Sequence, residues 1–214
     1  MSASATTVAA FDVDGTLTTV DTFVPFVRTV AGPVRSLLAA AGAAPLAAGV
    51  AVGRVSRDRL KARVVASVFR GAQPERIDEQ GRAHAERIRQ RWLRPDTVAR
   101  LRWHQVQGHR TILVSASLRP YLDPLGEWLG VDAVLCTDLG VDADGRLDGA
   151  VLGGNCRGAA KAERLLAHLG ARPDELWAYG DSEGDRELLA LAHHPVLLRR
   201  GLILTAAPAP GPDR

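Results

Sequence analysis

Thr7–Phe11 (TVAAF) is a short apolar run that passes directly into Asp12-Val13-Asp14-Gly15. A run of this length bounded by a polar, glycine-containing loop predicts a buried strand. Over residues 22–94 the pattern changes and no strand signal occurs. Residues 36–53 (SLLAAAGAAPLAAGVAVG) are uncharged, but they are mostly Ala and Gly and contain Pro45. Packed helices broken at Pro45 are expected there in preference to a membrane span. Residues 57–70 place Leu60, Val64, Val65 and Val68 near one helical face. Residues 74–92 predict a charged helix with Ile77, Ala85, Ile88 and Trp92 as its drier positions.

From residue 95 onward the two periods alternate. A helix is predicted over 96–107, ending at Gly108, then a strand over 110–114 that runs into Ser115-Ala116-Ser117. A helix over 118–129 and a strand over 131–136 follow. Asp144-Gly145, flanked by LGV and RLDGAVL, predicts a β-hairpin within 138–152. A helix over 161–169 closes at Gly170. A strand over 176–179 ends in GDSEGD, a helix covers 186–192, and a last strand covers 195–198. Residues 206–214 (AAPAPGPDR) read as a disordered tail. The alternation predicts an α/β fold: a Rossmann-like parallel sheet with helices on both faces. Its core takes residues 1–20 and 95–205, and residues 21–94 form a helical insert after the first strand. In such sheets ligands gather at the carboxyl ends of strands. Asp12, Ser115 and Asp181 each follow a predicted strand, so they are expected at one edge.

Composition narrows the picture. Hydrophobic residues make up 46% of the 214, enough for a packed core, so a folded globule is expected. The net charge is +3, with cations scattered among acids, which argues against a nucleic-acid footprint. Lys61 and Lys161 are the only lysines in an arginine-rich chain, a sign that a compact ammonium is needed at those places. The N-terminal stretch lacks a basic n-region and is not expected to act as a signal peptide. Cys136 and Cys156 have neither zinc nor redox spacing, so they are expected as inert packing residues in a reduced, cytoplasmic setting. The four tryptophans, Trp92, Trp103, Trp128 and Trp177, are expected to anchor packing, and His193 and His194 to be turn residues.

The acids suggest chemistry. Asp12 and Asp14 lie two apart in extended chain, so their side chains reach the same side. Close carboxylates repel unless a cation joins them. Asp181 and Asp185 bring more negative charge to the same edge, a set of oxygen ligands that suits Mg2+, with Lys161 offsetting the remainder.

FDVDGT (residues 11–16), a serine after a strand (Ser115 in VSAS), Lys161 and GDSEGD (residues 180–185) together resemble the four-motif pattern of the haloacid dehalogenase-like hydrolases. The resemblance spans nearly the whole chain. It implies that Asp12 is the nucleophile that attacks phosphorus, and that Asp14 is the general acid and base. It implies that Ser115 hydrogen-bonds the phosphoryl oxygens, and that Lys161 holds Asp12 and phosphate charge in place. It further implies a Mg2+ site made by Asp12, Asp181 and the backbone carbonyl of Asp14, supported by Asp185. The activity implied is phosphomonoester hydrolysis through an aspartyl phosphate. Asp14 separates the chain from the dehalogenases, which lack that acid, and from the transport ATPases, which carry Thr there. Phosphomutases share it, so transfer to another alcohol is a second reading. A receiver-like signalling domain is a third, opposed by the length of the insert.

The helical insert resembles an all-helical type 1 cap, and NCRGAAK (residues 155–161) with the GDSxGD motif resembles subfamily IB. That group includes phosphoserine phosphatases and phosphatidylglycerophosphatase C-like enzymes. Where phosphoserine phosphatases carry Glu nine residues after the nucleophile, this chain has Asp21; where they carry Gly-Gly-Phe after the motif II serine, it has Ala-Ser-Leu. The expected substrate is a small or amphiphilic phosphomonoester, with a lipid substrate or peripheral membrane contact as the variant suggested by the apolar 36–53 stretch. Candidate substrate-binding residues are Ser115, Ala116, Asp21, Arg157 and Lys61.

Overall fold

The computed structural model describes residues 6–198, 204–205 and 207. Its strands are β1 (Thr7–Phe11), β2 (Arg110–Leu118), β3 (Ala133–Val141), β4 (Leu147–Leu152), β5 (Glu175–Gly180) and β6 (His194–Leu197). They form one sheet in the order β4-β3-β2-β1-β5-β6. All neighbours are parallel except β3 and β4, which are antiparallel. The helices are α1 (Phe23–Ala51), α2 (Arg57–Phe69), α3 (Pro74–Arg91), α4 (Pro95–Val106), α5 (Arg119–Leu129), α6 (Ala159–Leu169) and α7 (Arg186–Leu191). This is the expected α/β fold. The expected tail lies outside the described residues apart from Ala207.

The period of two along the strands separates two cores. Ala9, Phe11 and Leu113 face a core shared with Leu101 of α4 and Tyr121, Leu122 and Leu125 of α5. Val8, Ala10, Ile112 and Val114 face the other, with Leu165 of α6 and Leu188 of α7. Each fully buried Leu or Ile stabilises the fold by about 1.5–3 kcal/mol relative to exposure. Helices thus cover both faces, and β1 is buried from either side. The chain leaves β1 for β2 on one flank and reaches β5 on the other, so the carboxyl end of β1 is a topological switch point.

Helices α1, α2 and α3 lie between β1 and β2 in the chain. Close approaches fix them to the rest. A Cβ at Gly149 of β4 would lie 3.0 Å from Ala66 Cα of α2, and one at Gly81 of α3 would lie 2.1 Å from the Pro120 carbonyl oxygen of α5. Pro45 does not break the helix, contrary to expectation. The break falls at Gly32 (φ 71°, ψ 174°), and Pro33 restarts the helix where a missing N–H costs least. Good helix formers follow Pro45, and packing along α2 carries the helix through it. No described helix is long and apolar enough to cross a membrane.

Three other expectations shift. β3 starts at Ala133, not residue 131. The Val131 N–H bonds the Gly126 carbonyl at 3.1 Å to close α5, and Asp132 Oδ2 accepts the Thr111 N–H at 2.7 Å, so both residues serve the joint. His194 opens β6, stacked on Trp177 at 4.0 Å, and His193 Nδ1 accepts the Leu176 N–H at 2.9 Å; neither is a plain turn residue. Trp128 is 44% exposed, beneath the guanidinium groups of Arg89 and Arg102. The hairpin forms as read: Asp142 Oδ1 accepts the Asp144 and Arg146 N–H groups, and Gly145 takes φ 75°.

Candidate active site

β1 ends by pointing Asp12 out of the sheet, with the Asp12 N–H donating to the Tyr179 carbonyl at 2.9 Å. The chain then winds around the Val13 carbonyl, which accepts the Leu17 and Thr18 N–H groups at 2.9 Å each. Gly15 sits at φ 82°, and a Cβ there would lie 2.1 Å from Asp181 Oδ2. Glycine is required on both counts, and its absence of side chain brings the β1 and β5 loops together.

Lys161 rises from the first turn of α6, whose start is tied down by the Gly158 N–H donating to the Gly184 carbonyl. Its Nζ lies 2.5 Å from Asp12 Oδ1 and 2.5 Å from Asp185 Oδ1, and all three residues are buried. Burial works against the ammonium, yet Asp12 and Asp185 hold its pKa above the ordinary lysine value. Burial pushes Asp12 up to about 7; Lys161 pulls against that and Asp185 adds to it. Asp185 Oδ2 accepts the Asp181 and Ser182 N–H groups at 3.2 and 3.0 Å and the Ser182 hydroxyl at 2.9 Å, which closes a capping box over residues 182–185. Asp185 therefore shapes the loop as well as pairing with Lys161. Asp181, at the rim, is pushed up to about 6, by desolvation first and Asp185 next.

Asp12, Asp181 and Asp185 each offer an oxygen, and these lie within 4.8 Å of one another. The Asp14 side chain is turned elsewhere. Its Oδ1 accepts the Thr22 N–H at 2.9 Å and the Thr22 hydroxyl at 2.6 Å, and its Oδ2 accepts the Ser117 hydroxyl at 2.5 Å. Burial raises its pKa, with Asp21 adding and the Ser117 and Thr22 donors opposing.

β2 runs on to Leu118 instead of ending at residue 114, so Ser115 lies within it, where the pairing with β3 shifts register; it is buried, its Oγ accepting the Ser117 N–H at 3.1 Å. Asp12, Asp14, Ser115, Lys161 and Asp181 line one cavity of about 400 Å3, with Ala116, Asp21 and Arg157 also on its wall. Asp21 additionally caps the start of α1 by accepting the Val24 N–H at 3.1 Å. Arg157 passes beside Gly184, where a Cβ would lie 3.1 Å from its Nε. Lys61 faces a second, adjoining cavity. Cys136 and Cys156 are free and buried, and burial pushes the Cys136 thiol up to about 12.

The sequence profile of the haloacid dehalogenase-like hydrolases matches residues 9–190. The chain belongs to this family. It is 37% identical to Protein CicA of Caulobacter vibrioides over 183 residues, covering 86% of this chain and 82% of that one. Its fold is similar to that of a Bordetella pertussis Tohama I protein of unknown function, with TM-score 0.77 and 22% identity over 91% of this chain and 90% of that one. It is also similar to a substrate-bound phosphoserine phosphatase, with TM-score 0.59 and 17% identity over 89% and 84% of the two chains.

Sequence reasoning passed over Thr22, Ser117, Arg57 and Asn155, all of which border the two cavities or bind residues that do. Ser117 carried a usable signal, because it follows Ser115 by two in a strand and so shares its side.

Proposed function

We propose that the protein is a Mg2+-dependent phosphomonoester hydrolase that works through a phosphorylated Asp12. One arrangement carries the reading: a buried Asp12 fixed by Lys161, with Asp14 and Ser115 on the same cavity. Asp12, Asp181 and the Asp14 carbonyl would hold the cation, with Asp185 behind them. The fit rests on the donor set: hard carboxylate oxygens, in negative excess over one ammonium. Bound Mg2+ supplies positive charge to the transferring phosphoryl oxygens.

A carboxylate oxygen of Asp12 attacks phosphorus, and the bond to the leaving alcohol breaks as Asp14 delivers its proton to that oxygen. Water then attacks the phosphoryl group, Asp14 takes its proton, the bond to Asp12 breaks and phosphate leaves. Splitting the reaction in two spares either half a large barrier. Acid and base help from Asp14 contributes about 10²–10⁴-fold. Ser115 orients the phosphoryl oxygens, and Lys161 keeps Asp12 in place while neutralising charge.

The leaving group departs on the Asp14 side. There the reaction cavity adjoins a chamber of about 670 Å3 whose wall is mainly apolar, with Phe23, Val27, Ala43, Ala47, Leu60 and Val64 contributed by the inserted helices. That size suits a drug-sized ligand, and the lining favours an amphiphilic phosphomonoester over a small zwitterion. The insert then acts as the cap that closes over the leaving group. Phosphate release from phosphoserine, sugar phosphates, nucleotides and lysophosphatidate, with and without Mg2+, tests the reading. Mg2+-dependent release is expected, fastest on the amphiphile. No release from any ester by folded protein with Mg2+ would end the phosphatase reading.

A further inference from the structure

Lys61 stands on the inserted helix α2, yet its ammonium is held by atoms of the α/β core. It donates to the Ala116 carbonyl, to Asn155 Oδ1 at 2.8 Å and to Thr137 Oγ1 at 3.4 Å. An ammonium has three N–H groups, so these acceptors engage all of them. One turn earlier on α2, Asp58 Oδ1 accepts Asn155 Nδ2 at 2.6 Å. Thr137 braces the same node: its Oγ1 lies 2.8 Å from the Ala116 oxygen and 2.9 Å from Asn155 Oδ1, and it accepts the Cys156 N–H at 3.1 Å. Four pieces of chain meet here: α2, the end of β2, β3 and the loop before α6.

Two of the anchors belong to the machinery of the site. The Ala116 carbonyl shares its peptide group with the Ser117 N–H, which donates to Ser115 Oγ at 3.1 Å. The Ser117 hydroxyl reaches Asp14 Oδ2 at 2.5 Å. Asn155 leads into the loop that delivers Lys161. A cation on the Ala116 oxygen polarises that peptide and strengthens its N–H as a donor.

We propose that Lys61 is a positioning residue: by clasping α2 to the core it sets the Ser115–Ser117–Asp14 chain for phosphoryl transfer. This rests on the phosphatase reading for its kinetics and on geometry alone for its structure. Lys61 then acts through Ala116 and Asn155 without binding the substrate.

The test compares wild type with Lys61→Met, Asn155→Ala and the double variant, using Mg2+ and p-nitrophenyl phosphate, a substrate too small to need the apolar chamber. Each single variant should lower kcat about tenfold with KM within about twofold, because misplacement of reacting groups acts on the transition state. The double variant should be no slower than the worse single one. Hydrogen exchange at the Ser117 amide should quicken in both single variants, while β1 amides keep their protection. A rise in KM at constant kcat would make Lys61 a substrate ligand and overturn the proposal. So would additive losses, or unchanged exchange at Ser117. Should Lys61→Met fail to fold, Asn155→Ala decides by the same readouts. A wild type that hydrolyses no ester defeats the phosphatase reading, and the exchange experiment then judges the clasp alone.

Discussion

Ser117 Oγ lies 2.5 Å from Asp14 Oδ2, so the strand that carries Ser115 also holds the proposed acid and base. The proposed phosphoryl contact and proton transfer would thus be registered by one extended tripeptide, Ser115-Ala116-Ser117.

Removing that hydroxyl has a directional consequence. A hydrogen bond to a charged acceptor contributes about 1.5–3 kcal/mol, so Ser117→Ala should slow hydrolysis by about tenfold or more. Because the donor favours the ionised form of Asp14, its loss should help Asp14 keep the proton it delivers and move the alkaline limb of the pH–rate profile upward. Steady-state rates across pH check both. A profile that falls in height without moving would remove Ser117 from the control of Asp14.

Cation binding should depend on pH. Asp12 near 7 and Asp181 near 6 lie above the ordinary 3.8. A carboxyl raised in the fold stabilises the folded state in its protonated form. That contribution is complete below about pH 4 and is lost as pH rises through about 6 to 7. Mg2+ favours the ionised forms and offsets the loss. The rise in Tm caused by Mg2+ should therefore grow between about pH 5 and pH 8. An equal Mg2+ effect at both ends would contradict the carboxylate site.

His104 is fully buried, with Nε2 2.8 Å from the Tyr179 hydroxyl and Nδ1 2.8 Å from His109 Nδ1. Burial first, then His109, lowers it to about 3. A histidine depressed in the fold contributes stability above about pH 6.5 that is lost as pH falls through its folded value. His104→Gln should be less stable at neutral pH by about 1–2 kcal/mol. Its deficit against wild type should shrink as the pH is lowered toward about 3, as read by urea unfolding at several pH values.

Gly81→Ala tests how the insert is seated. The added methyl would lie 2.1 Å from the Pro120 carbonyl oxygen, which is backbone and cannot swing aside. Overpacking of this kind costs about 1–3 kcal/mol, so denaturant midpoints should fall despite the better helix propensity of Ala. A gain in stability would mean that α3 and α5 separate freely.

Asp12, Ser115 and Asp181 were legible because each sits where a short apolar run stops: Asp12 after TVAAF, Ser115 after TILV, and Asp181 after LWAY and Gly180. The parallel sheet followed from the alternation of periods, and it brought these ends together. Thr22 and Asn155 were not legible. A threonine before a helix and an asparagine in a loop are common for local reasons, and only the turn around Val13 and the docking of α2 show what they bind. The α1 break was misplaced for a related reason. Proline is the stronger breaker in isolation, but packing overrides it at Pro45, whereas positive φ at Gly32 is a backbone choice the residue permits without demanding.

The most direct measurement is a rapid acid quench of the enzyme turning over its best ester with Mg2+, followed by mass spectrometry of the peptide that contains Asp12. A phosphoryl group on Asp12 is expected, absent in Asp12→Asn, which should also release no phosphate. Full phosphate release by Asp12→Asn, or label on another residue, would contradict it.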